Sequence, residues 1–190
     1  MSEEYSLIIY TGQKQLGKTI DAYLRDTPFK IRGISNGIDE IKVLLKHYAP
    51  DFLIINLSQP CSNLNIHPLK IISPRTRIIV IEKECYSQNI FTLIQAGADS
   101  FLPFPFTRED TIHLLTSLTK DEIYLPPFVA KSILRESQLI NRRNHKYPFI
   151  LTKRDCSILW CISRGMTIEG IKSCLGVDED LILAHLTNII

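Results

Sequence analysis

The sequence lacks the features of secreted, membrane-spanning and metal-binding proteins. It has no run near the roughly 18 apolar residues that a membrane span needs, and its first four residues, MSEE, are acidic, unlike a signal peptide. Its five cysteines are odd in number and form no C-x-x-C pair, which argues against a disulfide framework and against a zinc site. We therefore expect a cytoplasmic protein with reduced thiols, no metal, no cofactor and no membrane partner.

A strong charge bias is also missing. The net charge is only +2 over 190 residues, so any nucleic-acid binding must come from a local surface. Hydrophobic residues make up 45% and charged residues 22%, as in ordinary globular proteins. A chain of this length forms one large domain or two small ones.

The first 120 residues alternate β-rich runs with helical patterns, which predicts a parallel sheet covered by helices. The predicted strands span residues 7–10, 29–34, 52–55, 78–81 and 100–102. Five strands with intervening helices predict an α/β domain of the flavodoxin-like type over residues 1–120.

The rest of the chain has a different pattern. Residues 121–147 contain Pro126, Pro127 and a polar cluster, and they predict a linker with one short helix. Helical segments follow at 154–163, 168–175 and 179–190, separated by Gly165 and Gly176. We predict a small all-α helix-turn-helix domain over residues 148–190.

Two motifs in the α/β half resemble the receiver domains of response regulators. Residues 50–60, PDFLIINLSQP, are similar to the segment that carries the phosphorylated aspartate, and residues 96–106, AGADSFLPFPF, are similar to the segment with the fixed lysine. Further on, Tyr124-Leu125-Pro126 resembles the start of the NarL/FixJ linker, and residues 151–189 resemble a LuxR-type DNA-binding domain. The matches follow the order of the NarL/FixJ family along almost the whole chain.

This resemblance implies a receiver that has lost its phosphoryl chemistry. Asn56 stands at the acceptor position, Tyr10 and Thr11 at the two magnesium-binding acids, Glu82 at the switch hydroxyl and Phe104 at the lysine. An amide cannot form an acyl phosphate, and the substituted positions supply neither the acid pair nor the cation that the transfer needs. Phe101, at the aromatic switch position, is expected to be fixed in the core. We predict a pseudo-receiver without enzymatic activity.

A competing motif lies near the N-terminus. Residues 12–19, GQKQLGKT, match the P-loop pattern, after a predicted strand and at the start of a predicted helix. In that alternative, Lys18 reaches the phosphates of a nucleotide and Thr19 helps to hold magnesium. Leu16 argues against it, because it is in phase with Ile20 and Leu24 on the apolar face of an ordinary helix.

The predicted recognition helix begins at Glu179 and has little positive charge. Ile182, Leu186 and Ile189 are predicted to face the core, and Asp180, Leu183, Ala184 and Thr187 to face outward. In the LuxR-type pattern, Leu181 and Leu183 replace a threonine and a lysine, so this helix alone is expected to bind DNA weakly. The candidate DNA-contacting residues are Lys153, Arg154, Thr167, Lys172, Asp180, Leu183, His185 and Thr187.

Other residues of this domain are expected to be structural. His185 resembles a structural residue of the family, and Trp160, Cys156 and Cys161 are predicted to lie in the core. Arg164 and the linker cations Arg142, Arg143 and Lys146 add positive charge nearby. The resemblance implies a fourth helix that residues 148–190 are not expected to form, and apolar surface at Leu181, Leu183 and Ile190 is expected to meet a partner.

Two functions are compatible with these residues. The first is a phosphorylation-independent transcriptional regulator, expected to be a homodimer, that binds DNA through the helix-turn-helix. The second is a protein-interaction module whose degenerate helix-turn-helix docks on another regulatory protein. Enrichment of a DNA sequence by the protein distinguishes the two.

Overall fold

The fold was established from a computed structural model, which describes residues 4–57, 65–83, 90–120, 122, 124–143 and 151–189. Its N-terminal part is built on one five-stranded parallel sheet with the order β2-β1-β3-β4-β5. The strands are β1 (Tyr5–Tyr10), β2 (Phe29–Ser35), β3 (Phe52–Asn56), β4 (Arg77–Lys83) and β5 (Ser100–Phe104). The flavodoxin-like prediction is confirmed, and each predicted strand lies inside an observed one.

The sheet is buried on both faces, as parallel sheets are. Every residue of β3 is buried, which its unbroken apolar run FLII predicts. Alternate residues of β1 pack on opposite faces of the sheet. Leu7 and Ile9 belong to one hydrophobic cluster, and Ile8 belongs to a second cluster on the other face. Each fully buried aliphatic side chain of this kind stabilises the fold by about 1.5–3 kcal/mol.

Helices cover the two faces of the sheet. They are α1 (Lys14–Tyr23), α2 (Ile38–Tyr48), α3 (His67–Ile72), α4 (Ile90–Gln95) and α5 (Arg108–Thr119). Leu16 and Ile20 of α1 pack with Leu114 and Leu118 of α5 on one face. Helices α2, α3 and α4 contribute to the core on the opposite face. The short helix α3 was not predicted.

A long helix, α6 (Pro127–Arg143), follows the sheet domain. It begins with proline at its first position, where a missing N–H costs nothing. At 17 residues it corrects the prediction of a short helix in a linker, because the polar residues Asn141, Arg142 and Arg143 continue the helix. The side chains of these three residues lie outside the described part of the structure, as do Lys146 and Ile190 entirely.

Three helices form the C-terminal unit: α7 (Lys153–Ser163), α8 (Ile168–Leu175) and α9 (Glu179–Ile189). The predicted segments match these bounds closely. Gly165 and Gly176, which end α7 and α8, have φ values of 74° and 63°, a region that glycine enters without the strain of a Cβ. Among the described residues, no helix has the length and apolar character to cross a bilayer.

Candidate functional site

The carboxyl edge of the sheet brings the predicted pocket residues together. Thr11 directly follows β1, Asn56 ends β3, and Glu82 lies near the end of β4. All three are buried, at 4%, 5% and 5% exposure. This edge is where open α/β sheets bind their ligands, and the three residues inferred from sequence all lie along it.

Asn56 and Thr11 are joined directly. The amide Nδ2 of Asn56 donates a hydrogen bond of 3.2 Å to Oγ1 of Thr11. The same hydroxyl accepts a bond of 3.1 Å from the backbone N–H of Gln13, and the backbone N–H of Thr11 donates to the Ser35 carbonyl at 2.9 Å. Side chains and backbone of the predicted pocket therefore bond to each other.

The pocket has little of the chemistry of phosphoryl transfer. Magnesium prefers carboxylate oxygens, and Glu82 is the one carboxylate among the predicted pocket residues. Tyr10 is half-buried and packs beside the core. In the described part of the chain, no three His, Cys, Asp or Glu side chains are grouped to hold a metal.

Two phenylalanines complete the predicted pocket. Phe101 is 2% exposed and belongs to the core. Phe104 ends β5, is 39% exposed, and contacts the ring of Phe106 edge-on at 6.0 Å between centroids. A neutral ring at this position supplies no cation to balance a developing phosphate charge.

The P-loop alternative is wrong for this structure. A phosphate-binding loop needs free backbone N–H groups, but Leu16 and Gly17 already lie in helix α1 and donate to the carbonyl of Gln13 at 3.0 and 3.3 Å. The Thr19 hydroxyl donates to the Gln15 carbonyl at 3.0 Å. Leu16 and Gly17 are buried, because they lie on the apolar face of α1 together with Ile20.

In the C-terminal unit, one carboxylate connects α7 to α9. Asp155 Oδ2 accepts bonds from the backbone N–H and the hydroxyl of Thr152 at 2.6 and 2.7 Å. The backbone N–H of Asp155 donates to the Thr152 hydroxyl at 3.1 Å, which completes a capping box at the start of α7. Asp155 Oδ1 lies 2.6 Å from Nδ1 of His185 on α9. His185 thus has the structural role expected for it.

Electrostatics favour the ionised form of Asp155. Burial raises its pKa, but the hydrogen bonds from Thr152 and the interaction with His185 lower it further than burial raises it. The net pKa lies below the usual value of an aspartate. The carboxylate therefore stays charged at neutral pH and holds both helices.

Helix α9 has the predicted division into two faces. Ile182, Leu186 and Ile189 are buried, whereas Asp180 and Thr187 are exposed, as is Ala184, and Leu183 is half-buried. Of the candidate DNA-contacting residues outside α9, Lys153, Arg154 and Thr167 are exposed. Thr167 caps α8 by accepting from the Gly170 N–H at 3.2 Å.

The charge on this unit is balanced. Residues 151–190 carry four Lys and Arg against five Asp and Glu. Lys172 of α8 lies 3.9 Å from the carboxylate of Glu179, at the start of α9. Among the candidate DNA-contacting residues, the exposed cations are Lys153 and Arg154, at the start of α7.

Trp160 is not a core residue, contrary to the prediction. Its side chain is 49% exposed, and the guanidinium carbon of Arg164 lies 5.0 Å from the centroid of its ring. The neighbouring Ile158, Leu159 and Cys161 fill the core side of α7. A cation over the ring explains why an exposed indole is tolerated there.

Thr187 also lies beside the sheet domain. A cleft of about 440 Å³ is lined by Thr187 of α9 together with Lys70, Asp99 and Tyr124. In this arrangement, the predicted DNA-facing side of α9 borders the N-terminal half. The sequence carried no sign of this proximity.

Known proteins similar to the chain share this two-part organisation. The oxygen regulatory protein NreC of Staphylococcus epidermidis is 26% identical over 163 residues, which cover 82% of this chain and 74% of NreC. The nitrate/nitrite response regulator protein homolog of Haemophilus influenzae is 24% identical, with 84% and 75% covered. No protein-family model matches.

Solved structures agree on the fold. The RcsB response regulator of Salmonella typhimurium superposes with a TM-score of 0.61 at 15% identity, over 99% of this chain and 91% of RcsB. An RcsB structure with two dimers bound to two parallel DNAs gives the same TM-score, 0.61, at 16% identity, over 98% and 90% of the two chains. The chain is thus similar to these response regulators in sequence and in fold.

Sequence reasoning missed one important residue. Asp155 was not among the candidates, although it joins the N-terminus of α7 to His185 of α9. The signal was present as Thr152-x-x-Asp155, a capping-box spacing. Its second bond joins residues 30 positions apart, which no local pattern reveals.

Proposed function

We propose that this chain is a phosphorylation-independent transcriptional regulator that binds DNA through α7, α8 and α9. The observation that carries the proposal is the Asn56–Thr11 hydrogen bond of 3.2 Å at the former acceptor site. It is combined with a helix-turn-helix whose caps and core are well formed. The fold is thus retained while the residues of phosphoryl transfer have changed.

The pocket argues for phosphorylation independence in chemical terms. An acyl phosphate forms when an anionic carboxylate oxygen attacks phosphorus, and an amide nitrogen or oxygen is a poor substitute. The hydroxyl of Thr11 is already bonded to Asn56 and to the backbone of Gln13. The receiver half is therefore proposed to act as a pseudo-receiver over residues 1–120, a scaffold that supports a homodimer.

Support for DNA binding comes from the C-terminal unit and from RcsB, which is known in complexes with DNA. Exposed Lys153 and Arg154 lie at the start of α7, and Thr167 lies at the start of α8, where backbone phosphates meet helix N-termini in many complexes. We assign base contacts to Asp180, Ala184 and Thr187, since these side chains are exposed on α9. Because Thr187 borders the cleft, this assignment requires α9 to separate from the sheet domain.

The phosphoryl part of the proposal is tested by intact mass. After incubation with acetyl phosphate and magnesium, the unmodified chain is expected to keep its mass. The variant Asn56→Asp restores a carboxylate but neither the acid pair nor the cation, and it should stay unmodified too. An added phosphoryl group that maps to residues 1–120 of the unmutated protein would refute phosphorylation independence.

The DNA part is tested by enrichment from a random duplex library with the full chain at near-physiological salt, about 0.15 M. A recurring sequence is expected. The double variant Lys153→Ala/Arg154→Ala should weaken binding to all sequences alike and reduce the slope of log affinity against log salt by about 2. The matched control is Lys14→Ala/Lys18→Ala, which removes two exposed cations from α1 and should bind like the unmutated protein.

A protein-interaction module is the second candidate, favoured by the surface of α9. Its first turn is acidic, with Glu179 and Asp180, and no basic residue follows in its last turn. Leu181 is 39% exposed, an apolar group better suited to a protein partner than to phosphate. Failure to enrich any DNA sequence, with the caps and fold intact, would favour this candidate over the first.

A further inference from the structure

The cleft between the sheet domain and α9 combines charged groups with an apolar floor. Its volume is about 440 Å³, within the range of small-molecule sites. It lies where β4 and β5 begin, at the opposite edge of the sheet from Asn56. Ala98 and Leu118, both 3% exposed, form its floor. We propose that this cleft binds a small zwitterion with an apolar body, that is, a free aliphatic amino acid.

One wall of the cleft is an ion pair with bonding capacity left over. Lys70 Nζ lies 2.6 Å from Asp99 Oδ2 and donates a second bond of 3.0 Å to the carbonyl of Thr76. The same Oδ2 accepts from the backbone N–H of Ile78 at 2.7 Å. An ammonium has three N–H donors and a carboxylate has two oxygens. Within the described residues, one N–H of Lys70 and Oδ1 of Asp99 are therefore left for a bound molecule.

The segment after α5 contributes two further polar groups. The Ser100 hydroxyl donates to the Tyr124 carbonyl at 3.2 Å, and the ring of His113 lies 5.6 Å from the Tyr124 ring, so this tyrosine is held in place. Burial, followed by the charge of Asp110, raises the pKa of Tyr124, which therefore remains a hydrogen-bond donor at neutral pH. In the part of the chain that the structure describes, neither the Tyr124 hydroxyl nor the Glu122 carboxylate takes part in a hydrogen bond.

The charges of the cleft favour a molecule that carries both signs. Among the described lining residues, Lys70 and Arg77 are cations that attract a carboxylate, and Asp99 and Glu122 are anions that attract an ammonium. A ligand with a single charge gains from one pair and is repelled by the other. The side chains of Lys70 and Asp99 are only 27% and 29% exposed, and charges interact more strongly there than in bulk water.

The apolar lining accounts for the rest of the ligand. An aliphatic side chain placed against Ile94, Ala98 and Leu118 leaves water, which favours binding. Thr187 of α9 lines the same cleft, so a bound molecule contacts both halves of the chain. Binding therefore favours the arrangement in which the two halves lie together. This inference concerns the cleft alone and holds whichever partner α9 binds.

The test is isothermal titration calorimetry of the full chain with leucine, isoleucine, valine and methionine. Saturable binding of at least one of them is expected. The amine and the acid that correspond to the tightest binder then test the two charges; for leucine these are isoamylamine and isocaproate. Each should bind at least about tenfold more weakly than the amino acid, because each lacks one of the two charged groups.

Two variants test whether the binding takes place in the cleft. Glu122→Gln removes a carboxylate, and Tyr124→Phe removes a hydroxyl while keeping the ring. Each should weaken binding about tenfold. The matched control is Glu109→Gln, at an exposed glutamate on the opposite end of α5 from Leu118, which should bind like the unmutated protein. Far-ultraviolet circular dichroism checks that the variants keep the fold.

Other outcomes would overturn the proposal. One is the absence of both binding heat and any rise in the midpoint of thermal unfolding with all of these amino acids. A second is an amine or an acid that binds as tightly as the parent amino acid. A third is unchanged affinity in both cleft variants, or an equal loss in Glu109→Gln, since binding would then not depend on the cleft.

Discussion

At the scale of single residues, Asp155 illustrates how one side chain serves two elements. One carboxylate oxygen caps α7 through Thr152, and the other meets His185 of α9. The chain also contains a simpler version of the same cap, in which Asp110 and Thr107 form a capping box at the start of α5. The two caps form a matched pair: Asp155 is more buried, and it alone has a direct hydrogen bond to a histidine, His185.

Replacing each aspartate with alanine measures the difference between these caps. Asp110→Ala removes an exposed capping box and is expected to lower the free energy of unfolding by about 1 kcal/mol. Asp155→Ala also removes the bond to His185, and hydrogen bonds to charged groups contribute about 1.5–3 kcal/mol. Urea denaturation should therefore give the larger loss for Asp155→Ala; equal losses would show that the histidine contributes nothing.

Acid should destabilise the protein through the same two carboxyl groups. Hydrogen bonds from Thr107 lower the pKa of Asp110, and the pKa of Asp155 is lowered despite burial. The unfolded chain therefore takes up protons at a higher pH than the folded protein. The stabilisation is fully present above about pH 4–5 and is lost as the pH falls through the lowered folded values. Urea midpoints across this range should show a flatter pH dependence in the double variant Asp110→Ala/Asp155→Ala.

At the scale of elements, the helix-turn-helix depends on where its helices stop. Gly165 and Gly176 end α7 and α8 in the left-handed region, and an added Cβ at either would meet no atom within 4 Å. The need for glycine is therefore conformational and does not come from crowding. Gly170 differs, since it lies inside α8.

Alanine substitutions separate these two kinds of glycine. Gly165→Ala and Gly176→Ala should each lower the free energy of unfolding by about 1 kcal/mol or slightly more, because a left-handed alanine is strained. Gly170→Ala should raise it by up to about 1 kcal/mol, since the new Cβ meets Thr167 Oγ1 at an ordinary 3.5 Å. Thermal unfolding of the three variants provides the measurement, and a stabilising Gly176→Ala would contradict the explanation.

Local sequence patterns predicted the helices and strands better than they predicted side-chain burial and contacts between distant segments. The apolar run of β3 and the glycine-bounded helices were readable because strands and helices bury residues at fixed periods. Helix α3 was missed because its six residues are too few to show a period. Trp160 was misplaced because its partner, Arg164, stabilises it at the surface, and the cleft beside Thr187 arises from packing between distant segments.

At the scale of the whole molecule, one core runs through both halves. Val129, Ala130 and Ile133 of α6 are at most 1% exposed and belong to the same cluster as Ile90 of α4 and Ile158 of α7. Helix α6 therefore packs on both units. We expect the two halves to unfold together.

Ile133→Ala tests this shared core. Truncation of a buried isoleucine lowers the free energy of unfolding by about 2–5 kcal/mol. Here the same decrease should be seen for both halves. Trp160, the single tryptophan, reports on the C-terminal unit by fluorescence, while far-ultraviolet circular dichroism follows the whole chain. Their midpoints should coincide and shift together. Val43→Ala, at a side chain in α2 with 64% exposure, should change stability by less than about 0.5 kcal/mol.

The amide at Asn56 has a consequence for time. An acyl phosphate hydrolyses spontaneously, so the phosphorylated state of a protein that carries one has a limited lifetime, which ends each response. Under the proposed function, Asn56, which is hydrogen-bonded to Thr11, carries no acyl phosphate and sets no such limit. Under the proposed function, the duration of a response then depends on how fast the chain is synthesised and degraded, and on how long it remains on its partner.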